Sequence, residues 1–331
     1  MNQICQILNI EKPILQGPMS WVSTAPLTAA ASEAGAFGVL GTAMGTLEFI
    51  EDQIHQVKAI TNRPFGINIA FHPQFLSQKY FKGILDILIK EQVPAVHLDI
   101  MRNNTRTFEL DFAQQYFSQW HAAGIKILTK VFTIHDALIA QQAGTDIIIA
   151  KGWEGGGHIS TQTTMVLVPQ IKDAVTVPVI ASGGISDGRA MAAAMMLGAD
   201  GIEMGTVFIP ANETAIHPNA KQAVLKAFDL PTTVVGQSAD EPCRQLCNSL
   251  SQQVETIEKQ YPAAEAASLI QPLVSRSGRT AMQLGDIEKG AIMAGQVAPL
   301  VKQSCSVKEI IDTTFEQCSN LLQNASHIVL K

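Results

Sequence analysis

The sequence predicts an α/β fold, a (β/α)8 TIM barrel with a helical subdomain after its eighth strand, on three observations. Eight short apolar runs alternate with stretches of helical periodicity. Several of those stretches end at a glycine that leads directly into the next run, as in SEAGAFGVL, HAAGIKIL, QQAGTDIIIA and MLGADGIEM. The alternation then stops after Phe208 and is followed by a long segment of mainly helical pattern.

The runs lie at residues 13–17 (PILQG), 37–40 (FGVL), 65–69 (FGINI), 95–98 (AVHL), 126–131 (KILTKV), 146–150 (DIIIA), 178–181 (PVIA) and 201–204 (GIEM). They lack polar alternation, as strands covered on both faces do, and helical connections force them to run parallel. The helical stretches are 24–33, 47–60, 81–90, 108–122, 134–142, 164–174 and 188–197. Eight such units suit a closed barrel better than an open doubly wound sheet. Residues 1–210 with about 304–331 are therefore read as the barrel, and about 211–303 as a subdomain covering its mouth. That subdomain shows helical stretches at 219–228, 241–259 and 263–273 and no convincing strand. The amphipathic tail at 307–324 reads as the eighth barrel helix.

Composition narrows the classes of function. Of 331 residues, 47% are hydrophobic and 16% charged, enough for one large core, and the net charge of −6 has no basic run to attract nucleic acid or an anionic membrane. No basic amino-terminal segment precedes a long apolar one, so a cytoplasmic location is expected. The five cysteines are odd in number. Cys243 and Cys247 would share one face of a helix but have no partner pair, so neither a disulfide framework nor a metal site is expected. The expected partner is a small-molecule substrate, with assembly as a homodimer left open.

Barrel enzymes carry their chemistry at the carboxyl ends of the strands, and phosphates are commonly held after the last two. Those two loops read Ala181-Ser182-Gly183-Gly184-Ile185-Ser186-Asp187 and Glu203-Met204-Gly205-Thr206. Glycines there let backbone N–H groups approach an anion, and a helix starting near Asp187 would point its positive end at it. Either pair alone could simply make a tight turn; together, on adjacent strands, they favour a phosphate. After the sixth run comes Lys151-Gly152-Trp153-Glu154-Gly155-Gly156-Gly157-His158. Its glycines suit a flat ligand, and an imidazole at the barrel mouth can accept a proton at neutral pH. Gly17 and Met19, flanking Pro18, could line a planar ring, and Asn68 offers a donor and an acceptor to its edge. His97, Asp99, Arg102 and Lys130 also fall at strand ends, as site residues or as ordinary packing.

QGPM after the first run, GIN in the third, KGWEGGGHISTQTTMVLVPQ, PVIASGGISDG, GADGIEMGTVF, HPNAKQAVLKA and IMAGQVAPLV together resemble the nitronate monooxygenase family, formerly the 2-nitropropane dioxygenases. That family also contains flavin-dependent enoyl-acyl-carrier-protein reductases and some quinone reductases. The resemblance spans nearly the whole chain. It implies one FMN, with its phosphate on Gly184, Gly205 and Thr206 and its ring edged by Met19, Asn68, Lys151 and Gly156. His158 takes the position of the family's base, and Gln296 would approach the flavin from the subdomain. Gly17, Pro18, Lys130, Gly157, Ser182, Gly183, Glu203 and Met204 complete the expected cofactor surroundings. Two positions depart from the family pattern: the bulky, charged segment 99–104, and Lys151, where relatives often carry glutamine or an acidic residue. The activity implied is oxidation of alkyl nitronates or nitroalkanes with O2. The alternatives are a reductase that draws on NAD(P)H to reduce an enoyl thioester or a quinone and, from another class, a flavin-free barrel binding a phosphate ligand.

Overall fold

In the computed structural model, residues 2–326 are described except for 43–44, 74, 101–107 and 160. The segment at 101–107 includes Arg102 and most of the departing 99–104 loop, so those two expectations lie outside the described residues. The strands are β1 (Ile14–Gln16), β2 (Phe37–Leu40), β3 (Phe65–Ala70), β4 (Ala95–Asp99), β5 (Lys126–Val131), β6 (Ile147–Lys151), the two-residue β7 (Gly157–His158), β8 (Val179–Ser182), β9 (Gly201–Met204), β10 (Thr232–Val235) and β11 (Cys243–Leu246). Eight of them close a parallel barrel in the order β1-β2-β3-β4-β5-β6-β8-β9, sealed where β1 meets β9 with Leu15 opposite Glu203. The chain therefore folds as a (β/α)8 barrel with additional carboxyl-terminal helices.

Alternation along the strands divides the barrel interior into two layers. Leu15, Val39, Ala95, Leu128, Ile147, Ile149 and Ile180 pack on one another inside, while Ile148, Val179 and Ala181 join the larger cluster under the surrounding helices. Because successive side chains of a strand point to opposite faces, the inward positions two residues further on are His97, Lys130, Lys151 and Ser182. The bottom of the barrel is apolar and its carboxyl-terminal layer is polar. A short helix, Gln3–Leu8, closes the apolar end by adding Ile4 and Leu8 to the interior cluster. The sequence reading did not foresee this six-residue helix, which holds too little periodic pattern to stand out.

The outer helices follow the expected pattern closely. Leu47–Ile60 and Thr164–Ala174 coincide with it, and Thr46 and Ser77 cap their helices through side-chain oxygens. The tail helix Val307–Gln323 buries Val307, Ile311, Thr314 and Cys318 against the helices Gly188–Met196 and Ala25–Glu33. That is the place of an eighth barrel helix.

The segment after β9 departs from its expected form. The expected helix at 241–259 is divided: Cys243–Leu246 is a strand, and only Ser249–Gln260 is helical, started by an Asn248 capping box. β10 and β11 form an antiparallel hairpin, and β11 also pairs with β7, placing Cys243 opposite His158. Cys243 and Cys247 thus do not share a helix face. The β-branched run Thr232-Thr233-Val234-Val235 before Gly236 was the available signal, but four residues are too few to separate a strand from a loop. Among the described residues no helix is long and apolar enough to cross a membrane.

Candidate functional site

The polar layer forms the floor of a cavity of about 460 Å³ at the carboxyl ends of the strands. Its size falls in the range of cofactor and small-ligand pockets. The expected Gly17, Pro18, Met19, Asn68, Lys130, Lys151, Gly156, Gly157, His158, Ser182, Gly183, Gly184, Glu203, Gly205 and Thr206 all line it. Two others do not. Met204 is buried among the residues under the outer helices, because it falls on the outward side of β9. Gln296 has an exposed side chain and reaches the site only through its backbone, whose N–H donates to the Glu154 carbonyl at 2.9 Å.

At the floor, Glu203 is 4% exposed and organises a charged cluster. It accepts from His97 Nε2 at 2.8 Å and Ser182 Oγ at 2.7 Å, and Lys130 Nζ lies at 3.6 Å. Burial alone would raise its pKa. The positive charge of Lys130 and the contact with His97 outweigh that and hold the carboxylate well below its usual range. The His97 tautomer follows from its neighbours. Asn68 Nδ2 donates to the His97 carbonyl at 3.1 Å and lies 3.2 Å from Nδ1, so Nδ1 accepts and the ring proton sits on Nε2, facing Glu203. Burial, then the charge of Lys130, lowers the His97 pKa and keeps the ring neutral.

This cluster gives a testable stability effect. Glu203→Gln leaves the Lys130 ammonium buried without its counter-charge, which is expected to cost about 3–5 kcal/mol in urea unfolding at pH 7. In the parent protein the folded-state pKa lies below the unfolded one, so the carboxylate's contribution is complete above about pH 4.3 and is lost as pH falls through the folded value.

The phosphate-type loops end β8 and β9. Gly183 and Gly184 adopt φ of +97° and +73°, a left-handed conformation that side chains other than glycine rarely take. Among the described residues the N–H groups of Gly184, Ile185, Gly205 and Thr206 have no acceptor. Thr206 Oγ1 accepts from Gly295 N at 2.9 Å and keeps its own proton to donate. The first amides of the helix that begins at Gly188 are already engaged. Asp187 takes the N–H groups of Arg189 and Ala190, and Gln317 takes that of Gly188. The acceptor-free amides at these two strand ends are therefore loop amides.

The glycine-rich loop is fastened from both sides. Glu154 accepts from Thr164 N at 2.9 Å and Thr164 Oγ1 at 2.9 Å, and Thr164 Oγ1 also lies 2.9 Å from the Gly183 carbonyl. Arg244 on β11 is 3% exposed, stacks 5.0 Å from the Trp153 ring centroid and donates Nε to the Trp153 carbonyl at 3.3 Å. Sequence reasoning missed Glu154, Thr164 and Arg244 as supporting residues. Glu154 sat within the quoted motif, whereas nothing in the sequence around Arg244 marks a contact 91 positions away. On the outer helices, Glu51, His55 and Glu91 also gather, but Lys90 and Lys58 pair with these carboxylates at 2.5 and 3.0 Å.

A family model for nitronate monooxygenase matches residues 2–317. A probable nitronate monooxygenase of Staphylococcus haemolyticus is 31% identical over 97% of this chain and 98% of its own, and one from Staphylococcus aureus is 27% identical at the same coverage. The structure of FabK from Thermotoga maritima superposes with a TM-score of 0.89 at 32% identity, over 99% of each chain. A nitroalkane oxidase from Streptomyces ansochromogenes shares the fold, with a TM-score of 0.80 at 24% identity over 98% of this chain and all of its own. The family is flavin-dependent in general. Matched along nearly its whole length, the chain is an oxidoreductase that belongs to the nitronate monooxygenase family.

Proposed function

We propose that the protein is an FMN-dependent nitronate monooxygenase that oxidises alkyl nitronates, and the nitroalkanes that give rise to them, with O2. The observation that carries this reading is the arrangement of one cavity: acceptor-free loop amides at the ends of β8 and β9, a polar floor, and His158 on the wall. The amides of Gly184, Ile185, Gly205 and Thr206, with the Thr206 hydroxyl, suit a phosphate monoester. Met19, Asn68, Lys130, Lys151 and Gly156 surround the space for a flat ring. When bound, FMN supplies the electron-accepting ring.

The chain supplies position and proton transfer. An imidazole nitrogen of His158 takes the α-proton of a neutral nitroalkane, and the C–H electron pair moves into the nitro group, leaving imidazolium and nitronate. A substrate that arrives as the nitronate needs no such step. The cavity walls orient it against the ring and contribute through proximity. The likeness to FabK favours a second reading, an NAD(P)H-dependent reductase of an enoyl thioester, in which the same cavity residues would hold the flavin.

An anaerobic spectrum of the purified protein separates these readings. Bleaching of the flavin band by propane-2-nitronate, with little response to NADH or NADPH, is expected. Rapid bleaching by a nicotinamide and recovery on adding an enoyl thioester would transfer the assignment to the reductases. A colourless protein that takes up no FMN but binds a sugar phosphate would sink both.

A further inference from the structure

Lys151 ends β6 and its ammonium lies beneath the glycine loop. A Cβ on Gly155 would fall 2.4 Å from Lys151 Cε and 2.5 Å from Nζ, so the glycine provides the room that the lysine occupies. The neighbouring carboxylates are mostly committed. Glu203 is held by His97, Ser182 and Lys130, and Glu154 by Thr164. Asp99 on β4 has a buried Oδ1 with no hydrogen-bond partner and acts on Lys151 only through space. Among the described residues no hydrogen bond or ion pair engages the Lys151 ammonium.

The charged and titratable groups facing it are Lys130 on β5, Glu203 on β9, Asp99 on β4, Cys243 on β11, and Glu154 and His158 along the loop. Burial and then repulsion from Lys130 lower the Lys151 pKa to about 8, against the attraction of Glu203 and Asp99. Burial pushes the Cys243 thiol up to about 12, so it brings no charge at neutral pH. A second cation beside Lys130 is costly unless the cavity receives something that carries or gains negative charge.

We propose that Lys151 sets the electron affinity of the bound flavin, its unpaired ammonium favouring the reduced ring over the oxidised one. This rests on the FMN reading above. A bound ring that took up two electrons and one proton would carry one more negative charge, and a buried cation already in place would stabilise that charge without reorganising.

The test compares the holoenzyme with Lys151→Gln and Lys151→Arg. Anaerobic reduction against an indicator dye is expected to show the flavin of Lys151→Gln at least tenfold harder to reduce, about 30 mV for a two-electron couple. Lys151→Arg, which keeps the charge, is expected to stay nearer the parent. Affinity for sulfite, whose adduct places negative charge on the ring, falls in parallel. The difference between parent and Lys151→Gln narrows as pH rises through about 8, where the ammonium loses its proton. If Lys151→Gln holds FMN weakly, the ratio of its affinities for oxidised and reduced FMN gives the same quantity. Equal potentials in parent and Lys151→Gln would overturn the proposal. So would a raised KM for nitronate with no change in potential, which would make Lys151 a substrate-binding group. A parent protein that binds no FMN would instead refute the reading on which the proposal rests.

Discussion

Replacing His158 with Asn is expected to lower kcat/KM for a neutral nitroalkane by roughly 10²–10⁴, the usual contribution of a positioned general base. Turnover of the preformed nitronate should fall far less, because it arrives already deprotonated. The asymmetry is the informative part. A residue that only shaped the cavity would depress both substrates together, whereas a base is needed for one of them. Steady-state rates for 2-nitropropane and for its nitronate, taken side by side under conditions where the neutral form persists, decide the matter. Equal losses would remove His158 from the proton-transfer role. Its backbone pairs with Cys243 on β11, so the Asn variant should keep the strand contact and fold normally.

The second large effect belongs to Gly184→Asp, which is expected to yield protein purified without FMN. The substitution imposes a side chain at φ +73°, a strain of about 1–3 kcal/mol, and brings a carboxylate towards the amides proposed to hold the phosphate. Since 1.4 kcal/mol is tenfold in affinity and a like-charge juxtaposition costs several kcal/mol, the repulsion predicts a loss of about a hundredfold or more, while the strain lowers the stability of the free protein. Absorbance of the purified variant and the shift of its Tm with added FMN both report this. Parent-like FMN content in Gly184→Asp would mean that the phosphate, if any, sits elsewhere.

The barrel was legible because its signals are local and repeated. Ile147-Ile148-Ile149 announces a strand covered on both faces, and the GGI and MGT loops fall where the eight-unit count places the last two strand ends. The glycine-His segment was legible for the same reason. The hairpin was not, since four-residue strands carry little pattern and the pairing of Cys243 with His158 joins positions far apart in the chain. Met204 and Gln296 show a second limit. A motif fixes which segment approaches the site, but the inward or outward sense of Met204 depends on strand register, and only the backbone of Gln296 makes the approach. The helix start near Asp187 was legible, but the engagement of its first amides by the Asp187 side chain and the distant Gln317 was not.

The pairing of β7 with β11 also bears on how such an enzyme can diversify. The backbone of His158 on β7 pairs with a ribbon outside the barrel, and Arg244 of that ribbon stacks on Trp153 of the loop that carries it. Changes in residues 232–246 would shift the backbone at His158 while leaving the barrel strands and the loops after β8 and β9 as they are. A chimera exchanging this ribbon between relatives should alter which substrates are accepted before it alters cofactor retention.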